Sequence, residues 1–177
     1  MKKQHVIAFA SLILTMLVSD AMALDGYRSR SGILYGLQVG GGASKTDESG
    51  DDTRFGYHVG ARLGGGLNEN LTLDASLNYR SDNKDDSDRS MSTLLLGGNY
   101  FIVDGLFLRG EAGLATFNRS EPNNDTSTTG YSLGAGFGYE FFVNSDLALG
   151  ANGLAQFQQY DDFSVQTFGI FVSATLY

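Results

Sequence analysis

Seven side chains carry the groups that any chemistry in this chain would have to use: Gln38, His58, Arg62, Asp74, Arg109, Glu111 and Glu140. A zinc-type site needs three or four nitrogen or sulfur ligands. Cysteine is absent and His58 is the one histidine beyond His5, so neither a metal nor a cofactor is implied. Hydrolysis through a covalent intermediate needs a serine beside a histidine, with an acid behind it. The spacing puts no serine obviously beside His58. Two arginines with three carboxylates suit a buried ion-pair network, in which every charge must meet an opposite one.

The elements that must position these groups show themselves by alternation. On residues 71–80, Leu71, Leu73, Leu77 and Tyr79 take turns with Thr72, Asp74, Ser76 and Asn78. Such period-two patterning marks a strand. It recurs over 33–43, 54–66, 106–117, 130–142 and 147–158, and less cleanly over 91–102 and 163–177. In GYSLGAGFGYEFF, residues 130–142, large rings alternate with glycines. Strands that cross a membrane need roughly 9 to 11 residues, whereas soluble strands average nearer five or six. The expected fold is all-β, an eight-stranded antiparallel up-and-down transmembrane β-barrel. Its rings face lipid and its glycines make room in a narrow lumen for a few large polar groups. A lipocalin-like soluble barrel would invert the faces and cover its outside with glycine and charge.

Parity places the seven polar groups inward, together with Asn78, Asn152 and Gln156. A symmetric hairpin about residues 68–70 pairs 62 with 76 and 64 with 74, which makes Arg62 and Asp74 diagonal neighbours. The bland reading of this set is an ion-paired plug; the sharper one is a gate that rearranges to open a small conductance. Short turns at 68–70, 104–105 and 144–146 alternate with long polar connections, as in barrels whose turns lie in the periplasm. An even strand number then puts both termini on the periplasmic side. The long connections hold acidic residues expected in extracellular loops: Asp47, Glu48, Asp51, Asp52, Asp82, Asp85, Asp86 and Asp88. DNKDDSD lacks the glycine and closing glutamate of a calcium-binding hand loop.

Residues 1–23 read as a signal peptide: Lys2 and Lys3, an apolar run from Val6 to Val18, then Ala21-Met22-Ala23. The barrel domain is expected to occupy 24–177. Removing Lys2, Lys3 and Asp20 moves the formal charge from −8 to −9. An exported acidic chain is a poor partner for nucleic acid, which is bound through clustered Lys and Arg.

GYSLGAGFGYEFFVNSDLALGANG and the carboxyl end FGIFVSATLY resemble the small outer-membrane barrels grouped with the transmembrane domain of outer membrane protein A, the opacity proteins and the attachment-invasion proteins. The resemblance spans the mature chain. It implies residence in the outer membrane as a monomer among lipid and lipopolysaccharide, and assembly by the barrel-assembly machinery through a signal that includes Phe171 and Tyr177. Counting back from Tyr177 in twos gives Thr175, Ser173, Phe171 and Gly169, and the other face carries Leu176, Ala174, Val172, Ile170 and Phe168. Either the last strand is apolar on both sides or its register is shifted by one. The resemblance implies a role in envelope structure or in adhesion to a host-surface or extracellular ligand through the loops. A narrow pore is the alternative, and a lipid A-modifying enzyme is a third reading that His58's lumen parity disfavours.

Overall fold

The computed structural model describes residues 29–47, 53–84, 87–121 and 124–177. Eight strands follow one another: β1 (Gly32–Thr46), β2 (Arg54–Asn68), β3 (Leu71–Lys84), β4 (Ser87–Val103), β5 (Leu106–Glu121), β6 (Asn124–Phe142), β7 (Leu147–Gln159) and β8 (Ser164–Leu176). Each pairs with its sequence neighbours, and β8 pairs back onto β1 from Tyr35↔Leu176 to Thr46↔Val165, which closes the barrel. Closure satisfies the backbone of every strand and leaves no edge, as a lipid surround demands.

The faces sort as the alternation requires. Leu73, Leu77 and Tyr79 are exposed, while Thr72, Asp74, Ser76 and Asn78 are buried. The outer wall is inverted relative to a soluble protein: Phe55, Leu96 and Ile170 are each more than 70 % exposed. On β6 the rings of Tyr131, Phe137, Tyr139 and Phe141 point out, and Ser132 and Glu140 are buried inside.

Three expectations are corrected. First, the loop-end connections are much shorter than the polar runs suggested. β3 extends to Lys84, β4 begins at Ser87, β5 runs to Glu121 and β6 starts at Asn124. A strand standing above the hydrocarbon no longer needs outward apolar side chains. The hydrophobic alternation therefore stops while the hydrogen-bonded ladder continues. Secondly, Asp82 does not lie in an extracellular loop. It is fully buried on the inner face of β3, and Asp88 belongs to β4, paired with Asn83. Thirdly, the lumen is not uniformly polar. Leu95 is buried between the outward Leu94 and Leu96, and Met91 is buried further along the strand, so the mixed pattern of 91–102 is a strand apolar on both faces.

β8 resolves differently, with Thr167, Gly169, Ser173 and Thr175 on its inner face. Phe168, Ile170, Val172 and Leu176 face outward, whereas Phe171 is buried in the lumen with its ring 4.6 Å from that of His58. The apolar outer face is thus one residue out of step with the count from Tyr177, and the residues counted in twos from Tyr177 form the inner face.

Candidate functional site

The inner-face groups assemble in layers along the barrel, each built from strands far apart in sequence. At the turn end, Glu140 of β6 is 1 % exposed. It accepts hydrogen bonds from Arg30 Nε at 3.3 Å and from Tyr177 Oη at 2.8 Å, with Arg62 Nη2 3.8 Å away. Arg62 also donates to Thr175. The Arg30 guanidinium lies 3.9 Å over the ring of Phe101, a cation–π contact that helps to hold residues 29–31 across the barrel mouth. Ser29 Oγ and Arg30 N both donate to Glu69 in the β2–β3 turn. The Ser29 hydroxyl holds the Glu69 carboxyl below its ordinary pKa.

Deeper in, Arg109 of β5 is the hub. It grips Asp74 of β3 with both terminal nitrogens, at 2.8 and 2.9 Å. Its Nε donates to Glu111 at 2.8 Å and its Nη1 to Asn99 at 3.0 Å. Gln156 of β7 donates to the other Glu111 oxygen at 2.7 Å, so one polar chain crosses from β3 to β7. A bidentate guanidinium–carboxylate pair fixes orientation as well as charge. Glycine opposite these groups is a space requirement: a Cβ on Gly36 would collide with the Arg62 side chain, and one on Gly97 would come within 2.8 Å of Arg109 Nη2.

Above this layer, His58 Nε2 lies 3.3 Å from Asn78 Oδ1 and 3.4 Å from Gln38 Nε2. Gln38 donates to Asn78 at 2.9 Å. Amides, not carboxylates or a serine, therefore hold the histidine. Nearer the loops, Arg80 donates to Asp82 at 2.8 Å and to the Gly42 carbonyl at 2.9 Å, and Ser44 donates to the second Asp82 oxygen. An apolar cap of Met91, Ala115, Phe117, Tyr160 and Val165, with Phe163 against it, fills the loop end. Among the described residues, no three His, Cys, Asp or Glu side chains converge as metal ligands would.

A closed eight-strand wall, a hydrocarbon-compatible outside and a charged inside define one kind of molecule. The sequence model of the family described as "Outer membrane protein beta-barrel domain" matches residues 10–175. This chain belongs to that outer-membrane β-barrel family. Several solved structures are similar to it. The attachment invasion locus protein of Yersinia pestis, Ail, is 17 % identical with a TM-score of 0.56; the match covers 81 % of this chain and 98 % of Ail. Neisserial surface protein A is 14 % identical with a TM-score of 0.63, covering 82 % and 98 %. A second Ail structure, in complex with the heparin analogue sucrose octasulfate, gives 17 % identity and a TM-score of 0.59, with 81 % and 99 % covered. At these identities the likeness is one of fold. Among curated proteins, none matches in sequence.

In this outer-membrane barrel the inward set comes together differently from the expected single cluster. The hairpin register is Arg62↔Ser76 and Gly64↔Asp74, yet Arg62 turns to Glu140 while Asp74 goes to Arg109. Arg30, Arg80 and Arg89 were missed as interior groups. Continuing the parity of Thr72, Asp74, Ser76 and Asn78 two steps further finds Arg80 and Asp82; nothing of that kind points to Arg30, which precedes the first strand. Of the acidic residues expected in loops, Asp47 is exposed at the end of β1 and accepts from Ser164 N and Oγ at 2.8 and 2.9 Å. These bonds, the backbone one foremost, lower the Asp47 pKa. Glu48, Asp51, Asp52, Asp85 and Asp86 lie outside the described residues, as do residues 1–23.

Proposed function

We propose that this barrel serves the outside of the cell rather than transport through itself: its lumen is closed by paired side chains, and its acidic loop end acts in envelope structure or binds an extracellular ligand. The observation that carries this reading is the polar chain Asp74–Arg109–Glu111–Gln156, which crosses the lumen and leaves no partner of Arg109 to spare. An eight-strand wall encloses little more than its own side chains. The ligand class follows from charge. At a formal −8, with acidic runs at the loops, the chain suits a basic protein surface or one bridged by divalent cations, and repels a polyanion. Residues 1–23 are the proposed export signal, so the mature chain begins at Leu24 with both termini periplasmic. No enzymatic role is proposed.

Whole cells displaying the protein, with residues 48–52 replaced by Gly-Ser and Asp85 and Asp86 by Ser, test the surface role. Binding to immobilised basic matrix proteins should fall several-fold against the wild type. Equal binding would remove the loops from the account. The narrow-pore reading has one observation in its favour: the buried hydroxyls of Ser132 and Thr167 find no partner among the described residues, as they would if the lumen opened to admit water. Planar-bilayer recordings separate the two. Reproducible channels that grow on Arg109→Ala would favour the pore, and a silent bilayer favours the closed barrel.

A further inference from the structure

The outer wall is not evenly ridged. Outward positions on β7 are small in its middle, Ala151, Gly153 and Ala155, and those on β1 are small near its loop end, Gly41 and Ala43. Between these strands, β8 raises a ridge of Phe168, Ile170 and Val172, exposed by 58–75 %. The pairing fixes their relative height: Ile170 lies across from Gly153 on one side and from Gly41 on the other. Two hollows result on this face. One of about 420 Å³ is lined by Gly41, Gly153, Ala155, Phe168 and Ile170 among others. The next, of about 520 Å³, continues toward the turn end past Ala151, Val172 and Tyr139. Each falls within the volume range of ordinary small-molecule sites, roughly 300–1,000 Å³.

Above the β1 trough stands Lys45, exposed and on the outward parity of Tyr35, Leu37 and Val39. Among the described side chains it is the one lysine. It pairs across to the exposed Gln166. Tyr35 and Lys45 lie ten positions apart on β1. At about 3.4 Å per residue and a tilt near 40°, that is roughly 26 Å along the membrane normal, close to the ~25 Å height of the apolar band of such barrels. Tyr35 therefore marks one border of the hydrocarbon and Lys45 the other, at the level of lipid phosphates. The nearby Asp47 carboxylate is already engaged by Ser164.

We propose that this face is a site for one phosphorylated, several-chained lipid of the outer leaflet, lipid A. Its phosphate meets Lys45 and Gln166, and its acyl chains run down the two successive hollows along the Phe168–Ile170–Val172 ridge. The outer wall is immersed in hydrocarbon, so a chain laid in a trough exchanges lipid neighbours for walls on three sides and gains dispersion contacts with fixed side chains. A cation at headgroup height then selects phosphate. The proposal goes beyond the surface-ligand reading. The two fail separately, because replacing 48–52 leaves Lys45 and the troughs in place.

Native mass spectrometry of the full mature barrel released from detergent micelles tests it. Lipid A, its dephosphorylated form and phosphatidylglycerol are each titrated against wild type, Lys45→Glu and Gly153→Leu. A Cβ on Gly153 meets nothing closer than 4.0 Å, so the leucine fills the trough without disturbing the wall. Heat-modifiable gel migration confirms folding of each variant. The expected result is one retained lipid A per wild-type barrel, with retention weakened about tenfold by Lys45→Glu and by loss of the phosphates, and severalfold by Gly153→Leu. Retention unchanged in both variants, or phosphatidylglycerol held as well as lipid A, overturns the proposal. So do barrel dimers that disappear on Gly153→Leu, which would assign the troughs to a second copy.

Discussion

Arg109 illustrates how a single interior charge can bear on the whole wall. Its guanidinium is shared among Asp74, Glu111 and Asn99, three groups on three strands, so removing it leaves two buried carboxylates without their hydrogen-bonded cation. Breaking one side of a buried pair costs about 3–5 kcal/mol, most of it the penalty on the abandoned charges. Arg109→Ala should therefore lower the urea midpoint of the barrel refolded in lipid vesicles by about that much free energy. The combined change Arg109→Met, Asp74→Leu and Glu111→Gln should recover most of the loss, because it removes the charges together. A combined variant no better than the single one would mean that the network holds strand register and not merely neutrality. Glu140 is the complementary case: Arg30, Arg62 and Tyr177 surround it, so no single removal leaves it bare.

The eight strands were legible wherever lipid dictates their outer face, and lost where it does not. The tie between residues 29–31 and the β2–β3 turn belongs to the second kind. Ser29 and Arg30 are bound by Glu69, whose pKa is depressed chiefly by the Ser29 hydroxyl; at the other end Asp47, depressed chiefly by the Ser164 amide, ties β1 to β8. A depressed carboxyl contributes stability above its unfolded pKa and loses that contribution as pH falls through the folded value. The double variant Asp47→Asn, Glu69→Gln should therefore unfold at lower urea than wild type at pH 6. The gap should narrow steadily as pH falls below the ordinary carboxylate range and through the depressed folded values; a gap that does not change with pH would show that the charges are not what these residues supply. No alternation announces either tie. Arg30 sits before any strand pattern begins, and the polar run around Asp82 reads as loop because water, not hydrocarbon, surrounds the strand tops. Asp74, Arg109, Glu111 and Glu140 were readable as interior because strong apolar neighbours on both sides fixed their parity. Their partners were not, since the barrel's closure decides which strands face each other across the lumen.

At the scale of the molecule, everything depends on which side of the wall meets hydrocarbon. The outer face exposes Leu37, Leu96, Phe137, Ile170 and others by more than 60 %, while among the described residues twenty-three polar or charged ones are buried. In water that arrangement would leave the apolar surface unburied and favour aggregation; in a bilayer it is the arrangement a closed sheet must adopt. The chain's lack of cysteine makes the assignment directly testable, since each introduced thiol is the sole reporter. In membranes, Leu133→Cys and Ile170→Cys should react with a bilayer-soluble maleimide and stay shielded from a charged, water-soluble one. Ser132→Cys, on the inner face of the same β6 strand as Leu133, should be shielded from the bilayer probe. Adjacent positions on one strand then give opposite answers, so a global change in folding cannot imitate the result. Equal labelling of positions 132 and 133 by the bilayer probe would place lipid on both faces, which no closed barrel allows.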